Sequence, residues 1–167
     1  VPTLQQLMAW DYTATTIAWP HSGTVTTDDL TFFAQGGLTT TILDSANVNA
    51  QEEKISSTAT GTIGDKNVIV MDSEVTNAIT TAIKADTDTV RNSALAELSS
   101  ALALISSNGQ PGKTPVVVAS FGRDFPLSNL AVINTLDALS SLPWAASASL
   151  AEVLSTAPAT TMTLVES

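Results

Sequence analysis

The chain has 167 residues, enough for one domain with a sizeable core, and 44% of them are apolar while only 13% are charged. A net charge of −10 with only six Lys and Arg residues argues against nucleic acid or an anionic membrane surface as a partner. The chain has no cysteine, which excludes disulfides and thiolate chemistry, and no apolar run reaches the length of a membrane span.

The first part of the chain predicts a strand, a helix and a second strand. Residues 15–19 form a β-branched run that stops at Pro20, and residues 26–37 predict a helix with a threonine cap and a Gly-Gly end. Residues 38–43 form a second β-branched run, which ends at Asp44. Short connections between three such elements are typical of a parallel crossover.

The same alternation continues after a polar stretch at residues 45–65, which predicts a long loop or a small hairpin. Residues 67–71 form a continuous apolar strand that ends at Asp72. The remaining predicted elements are helices capped by Ser73, Asp88, Ser128 and Ser149 and strands over residues 116–121 and 161–165. Strands that are apolar on both faces indicate a mostly parallel sheet with flanking helices. We therefore expect one α/β domain over residues 1–167, part of a longer protein, with an open sheet or a partial β/α-barrel.

Two apolar features near the C-terminus predict further core contacts. One predicted helix carries Leu130, Ile133, Leu136 and Leu139 at helical spacing, as amphipathic helices that cover a sheet do. Trp144 follows Pro143 after the end of that helix. We interpret it as a core anchor, because this side of α/β folds serves stability rather than binding.

Polar side chains follow the carboxyl ends of the predicted strands, which is where sites form in open α/β sheets and in β/α-barrels. The four places are Trp19-Pro20-His21, Asp44-Ser45, Asp72-Ser73-Glu74 and Gly122-Arg123-Asp124. Together they offer an aromatic platform, an imidazole, several carboxylates and a guanidinium. Such a set can bind a sugar, with Trp19 stacking on the ring and carboxylates accepting bonds from its hydroxyls.

Several of these residues also have a simpler structural interpretation. Asp44 and Asp72, with Asp124, could act as acid and base in glycoside hydrolysis, or each could cap the turn that follows its strand. His21 could ligate a metal or act as a general base, or could simply be a turn residue. Arg123 could hold a ligand carboxylate or phosphate, or pair with its neighbour to shape the loop.

The familiar catalytic and cofactor motifs are missing from the sequence. There is no G-x-S-x-G nucleophile elbow, and the glycines near Lys113 have the wrong spacing for a phosphate loop or a dinucleotide fingerprint. A zinc site would need His21 with two carboxylates, since no second histidine and no cysteine can contribute. No cofactor and no metal is therefore expected, and the sequence leaves open whether the protein is an enzyme.

Segments spread over most of the chain are shared with a known family. They are Ile17-Ala18-Trp19-Pro20-His21-Ser22-Gly23-Thr24-Val25, Leu30, Gly36-Gly37, Thr41-Ile42-Leu43-Asp44-Ser45, Arg123-Asp124, Leu139, Pro143-Trp144 and Ser149-Leu150-Ala151-Glu152. This pattern resembles a family of large uncharacterised actinobacterial envelope proteins. The resemblance implies a secreted, membrane-anchored chain with several extracellular domains, of which this one is similar to the β/α-barrels of polysaccharide deacetylases and related glycosidases.

One departure from that resemblance concerns the metal site. Metal-dependent deacetylases carry a paired Asp and a His-x-x-x-His motif, whereas this chain has a single histidine, so their metal site is not carried over. Two functions follow. The first is a non-catalytic extracellular domain that binds carbohydrate, the cell wall or a protein partner, with no direct membrane insertion by this fragment. The second is a glycan-active hydrolase that uses the strand-end carboxylates.

Overall fold

The structure is a computed structural model that describes residues 16–21, 24–50, 59–108, 114–121, 129–158 and 160–165. The strands are β1 (Ile17–Ala18), β2 (Thr40–Asp44), β3 (Val48–Ala50), β4 (Thr60–Ile63), β5 (Lys66–Met71) and β6 (Met162–Leu164). The helices are α1 (Thr27–Gln35), α2 (Ser73–Lys84), α3 (Asp88–Asn108), α4 (Asn129–Ser140) and α5 (Leu150–Ser155), with a 3₁₀ turn at Ser45–Asn47.

The main sheet has four strands in the order β1-β2-β5-β4. β1, β2 and β5 are parallel to one another, whereas β4 runs antiparallel to β5. In the register of the two central strands, Asp44 lies opposite Met71. The prediction of a mostly parallel sheet with helices is confirmed, and within the described residues the sheet is open and shows no barrel closure.

Helix α1 begins and ends where the sequence predicts. Thr26 is its N-cap, and its hydroxyl accepts a bond from the backbone N–H of Asp29 while the Asp29 carboxylate accepts one from the backbone N–H of Thr26. This reciprocal capping box satisfies two N–H groups that a helix start leaves without partners. Gly36 closes the helix, and Gly37 follows with a φ of 81°, a conformation that favours glycine.

The described residues of the polar stretch predicted as a loop or hairpin form three short elements. The 3₁₀ turn leads into β3, and β4 forms a hairpin with β5 through Gly64-Asp65, where Gly64 has a φ of 58°. β3 pairs antiparallel with β6 in a separate two-stranded sheet. A hairpin is therefore present at the end of this polar stretch, where β4 turns back into β5.

The core lies on both faces of the main sheet and between the helices. Leu43 and Val68 point to one face, where they pack with Leu30 of α1. Ile42 and Ile69 point to the other face. The buried residues that pack there with them are Met71 and Val153, and those between α2, α3 and α4 are Val75, Ala78, Ile79, Ile83, Leu98 and Ala131. Neighbouring side chains along each strand point to opposite faces of the sheet. Because both faces are covered, the central runs of β2 and β5 are apolar or β-branched throughout.

Three details of the predicted elements are wrong. Residues 116–121 do not form a strand; Val116 and Val118 form only isolated bridges, that of Val118 being parallel to Met71, and these residues are half-buried. Helix α2 is capped by Asp72 rather than by Ser73. Ahead of α3, it is the hydroxyl of Thr87 that accepts a bond from the helix backbone, at the N–H of Val90. In both helices the residue one position earlier accepts the bond from the helix backbone, and Asp72 has the extended backbone that a cap needs.

The predicted core contacts near the C-terminus are also partly wrong. Leu130, Ile133 and Leu136 of α4 are 65%, 52% and 45% exposed, and only Leu139 of the predicted stripe packs against the helical core. Trp144, predicted as a core anchor, is 45% exposed. The buried residues on the side of α4 that faces the protein are Ala131 and Thr135, and Val132 and Leu139 pack beside them.

Candidate functional site

Three of the four predicted strand ends lie at the same edge of the main sheet. β1, β2 and β5 run in the same direction, so the residues that follow Ala18, Leu43 and Met71 emerge together. The fourth place, with Arg123 and Asp124, lies outside the described residues, and both assignments stay predictions.

A compact hydrogen-bond network joins the ends of β2 and β5. We call Asp44, Ser45 and Ser73 the strand-end cluster. The hydroxyls of Ser45 and Ser73 are 2.6 Å apart, the backbone N–H of Ser73 donates to Ser45 Oγ at 3.1 Å, and Ser73 Oγ donates to Asp44 Oδ1. An ionised carboxylate can only accept, so the Ser73 proton points to Asp44 and the Ser45 hydroxyl must donate to Ser73.

The Asp44 side chain also shapes the turn that follows β2. Its Oδ1 accepts a second bond from the backbone N–H of Ala46 at 2.9 Å, which caps the 3₁₀ turn. Both bonds end on Oδ1, and Oδ2 has no hydrogen-bond partner within the described parts of the chain. Oδ1 therefore has a structural role both in the strand-end cluster and in the turn.

The far end of the 3₁₀ turn is fixed by a buried asparagine. Asn47 is 4% exposed, and its Oδ1 accepts a bond from the backbone N–H of Val25 at 2.7 Å. Its Nδ2 donates to the backbone carbonyls of Val25 and Val165, each at 3.3 Å. A side-chain amide in this position ties three segments together, so the turn that carries Ser45 has little freedom to move.

Asp72 is a helix cap and belongs to a different side of the sheet. Its Oδ1 accepts a bond from the backbone N–H of Val75 at 2.9 Å. Its own backbone N–H donates to Val118, so the chain is still extended at this point. Since Asp44 pairs with Met71, strand alternation sends Asp72 to the opposite face from Asp44 and returns Ser73 to the same face. The hydrogen bond between Ser73 and Asp44 agrees with this placement.

Trp19 lies on the neighbouring strand end and shares a face with Asp44. Ile17 packs on the same face as Ile42, so alternation puts Trp19 on that face too. Continued register sets Trp19 beside Ile42, and standard strand spacings then place its Cα about 8 Å from that of Asp44. The Trp19 residue is 40% exposed, which leaves part of the indole accessible to solvent.

The two other predicted ligand-binding residues in this region are exposed. His21 lies in a turn after Pro20, and Glu74 lies in the first turn of α2, where a carboxylate complements the helix dipole. Among the described residues, no group of three His, Asp or Glu side chains could hold a metal ion. No helix in the described ranges is long and apolar enough to cross a membrane.

Sequence reasoning identified the strand ends but missed the contacts that organise them. Asp44-Ser45 and Ser73 were both recognised as following strands, and their direct contact follows from the parallel register. Asn47 was missed because its partners are 22 and 118 residues away in sequence, and no local pattern signals such a contact.

Comparison with known proteins places the chain in a family. Residues 3–166 match the family described as "Family of unknown function (DUF6049)", so the chain belongs to this family. No curated protein matches the chain, and no solved structure does. The expected relationship to actinobacterial envelope proteins with deacetylase-like domains therefore stays a prediction.

Proposed function

We propose that this member of a family of unknown function is a non-catalytic carbohydrate-binding domain that works outside the cell, at the cell envelope. The observation that carries the proposal is the shared sheet face of Trp19 and Asp44, with the indole partly exposed and Asp44 Oδ2 without a partner among the described residues. An aromatic face with hydrogen-bond acceptors at its edge suits a sugar ring, which has an apolar face and a rim of hydroxyls.

The hydrogen bonds of the two described carboxylates favour binding over hydrolysis. Glycosidases need a pair of carboxyl groups that face each other across the scissile bond. Asp44 and Asp72 instead each hold a backbone N–H, and strand alternation directs them to opposite faces of the sheet. Such carboxylates are suited to accept bonds from a ligand and are poorly placed to act as a pair.

The composition supports the proposed location. Exported domains of this kind expose Ser, Thr and Ala, and this chain has only four lysines among its 167 residues. A neutral ligand also suits a domain with a net charge of −10, since anionic polymers would be repelled. Protease treatment of intact cells, followed by immunoblotting, would test the location directly: a protected domain would contradict it.

The binding proposal is tested by titrating soluble oligosaccharides against matched tryptophan variants. Oligomers of N-acetylglucosamine, glucose and mannose are followed by calorimetry and by NMR shifts. For the oligomer that binds, we expect Trp19→Ala to weaken affinity about tenfold, which corresponds to about 1.4 kcal/mol of lost stacking. Trp144→Ala removes an equally exposed indole elsewhere and should change affinity less than about twofold.

Two results would contradict the proposal. No binding of any oligomer at millimolar concentration, or equal losses in the two tryptophan variants, would remove the proposed surface. Hydrolysis of a labelled oligomer that disappears in Asp44→Asn would instead show a hydrolase, because that substitution keeps an oxygen for the Ala46 N–H but no longer supplies a carboxylate.

A further inference from the structure

Helix α4 turns three of its large apolar side chains away from the protein, while Val132 and Leu139 pack against the helical core. At 100° per residue, Leu130, Ile133 and Leu136 lie within an arc of about 120°. All three are between 45% and 65% exposed. The residues buried beneath the helix are Ala131 and Thr135, which lie on the opposite side. We call Leu130, Ile133 and Leu136 the α4 stripe.

The inner side of α4 is formed by both small and large residues. Ala131 and Thr135 are buried there, and Val132 and Leu139 pack against the helical core beside them. The small residues allow α4 to pack closely against α2, where the buried cluster includes Ala78 and Ala131. The α4 stripe is left on the outer side, and a row of exposed large apolar side chains on one helix face is typical of a surface that becomes buried in a complex.

The charge around the α4 stripe indicates the chemistry of its partner. Asp137 lies in the same arc, one turn after Ile133, and its exposed carboxylate has no hydrogen-bond or ionic partner within the described residues. In the sequence from residue 124 to 167 there is no Lys, Arg or His, whereas the acidic residues there are Asp124, Asp137, Glu152 and Glu166. Within the described residues, the α4 stripe therefore lies beside a negative charge that has no ionic partner.

We propose that the α4 stripe is a docking surface for a basic amphipathic helix of another protein. The partner's apolar residues would cover Leu130, Ile133 and Leu136, and its Lys or Arg would pair with Asp137. A second copy of this chain fits less well, because each copy would carry a net charge of −10 and would lack the basic residues that pair with Asp137. This surface is distinct from the proposed sugar site and does not depend on it.

The experiment uses designed helical peptides as probes. One peptide has a leucine stripe flanked by lysines, a second has the same stripe flanked by glutamates, and a third has the lysine composition in scrambled order. Binding to the full chain is measured by fluorescence anisotropy, and the contact surface is mapped by NMR shifts. We expect the lysine peptide alone to bind, with shifts centred on residues 130–137.

Matched variants separate docking on α4 from general attraction to an acidic protein. Leu130→Ser with Ile133→Ser should weaken binding at least tenfold, whereas Leu104→Ser, at a similarly exposed position on α3, should leave it unchanged. Asp137→Asn should weaken binding more than Asp86→Asn, which removes the same charge from an exposed site elsewhere.

Each other outcome would overturn the proposal. Equal binding of the lysine and glutamate peptides would remove the role of charge, and equal effects of Leu104→Ser and the α4 variants would remove the stripe. Absence of binding would remove the surface altogether. A dimer in analytical ultracentrifugation that is lost in Leu130→Ser with Ile133→Ser would show that the occupant is a second copy.

Discussion

The buried amide of Asn47 should contribute more to stability than any other polar side chain near the site. Asn47→Ala removes one hydrogen bond of 2.7 Å to Val25 N–H and two of 3.3 Å to the carbonyls of Val25 and Val165. At about 1 kcal/mol for the short bond and less for the long ones, the bonds account for about 2 kcal/mol. The Val25 N–H, left without a partner in a buried position, adds about 1 kcal/mol, so we expect a loss of about 3 kcal/mol.

Urea unfolding followed by circular dichroism measures this loss, and two further variants make the test specific. Asn49→Ala changes an exposed asparagine two residues away and should shift the free energy of unfolding by less than about 0.5 kcal/mol. Asn47→Asp keeps the acceptor for Val25 N–H but turns a carboxylate oxygen toward two carbonyls, so at pH 7 it should be at least as harmful as Asn47→Ala.

Two outcomes would contradict this expected loss of stability. If Asn47→Ala and Asn49→Ala were equally stable, the three bonds would contribute no net free energy and the turn would be held by its backbone alone. If Asn47→Asp matched the wild type at pH 7, the two donor bonds from Nδ2 would be irrelevant. Amide exchange at Val25 and Val165 would show the loss locally, since both segments depend on the same side chain.

Two other predictions concern a close backbone contact and a capping box. Gly61→Ala should destabilise the domain by about 1–3 kcal/mol in urea unfolding, because its Cβ would lie 2.9 Å from the carbonyl oxygen of Thr160, which cannot move aside as a flexible side chain could. Bonds from the backbone and hydroxyl of Thr26 lower the pKa of Asp29 in the folded state, so the carboxylate stabilises the fold above its unfolded pKa of about 4 and this contribution is lost as the pH falls through the folded value. The stability difference between wild type and Asp29→Asn should therefore shrink between pH 6 and pH 2.5, and a constant difference would rule the capping box out as its cause.

The sheet could be predicted because its signals are local. The run from Thr40 to Leu43 is apolar or β-branched throughout, so it could satisfy both of its faces only inside a covered parallel sheet. Cap residues located the starts of α1 and α5. Thr26 forms a reciprocal capping box with Asp29, and Ser149 forms one with Glu152. Residues 116–121 have the same apolar pattern but form only isolated bridges, because β4 already occupies part of that edge of β5.

The orientation of α4 could not be predicted, since a hydrophobic stripe shows that a helix is amphipathic but not what covers it. Leu130, Ile133 and Leu136 have the spacing of a core-facing surface, yet α4 packs through Ala131 and Thr135, with Val132 and Leu139 beside them. The small side chain of Ala131 lies in the cluster that also contains Ala78 and Leu98, where interior packing is close. Tertiary packing therefore determines the orientation of α4, and the spacing of the apolar residues along the sequence does not reveal it.

The two surfaces proposed for this domain differ in how their polar groups are used, and that difference explains why they should work independently. In the strand-end cluster, Ser45 and Ser73 form hydrogen bonds with each other, and Ser73 also donates to Asp44, so these side chains are already held in place before a ligand binds. A sugar would then lose little further freedom of the protein on binding, and its affinity would depend chiefly on stacking against Trp19. On α4, Asp137 has no ionic partner within the described residues and is free to pair with a basic partner, so affinity there should fall with added salt. Added salt should therefore weaken binding of the peptide to α4 and leave binding of the sugar unchanged.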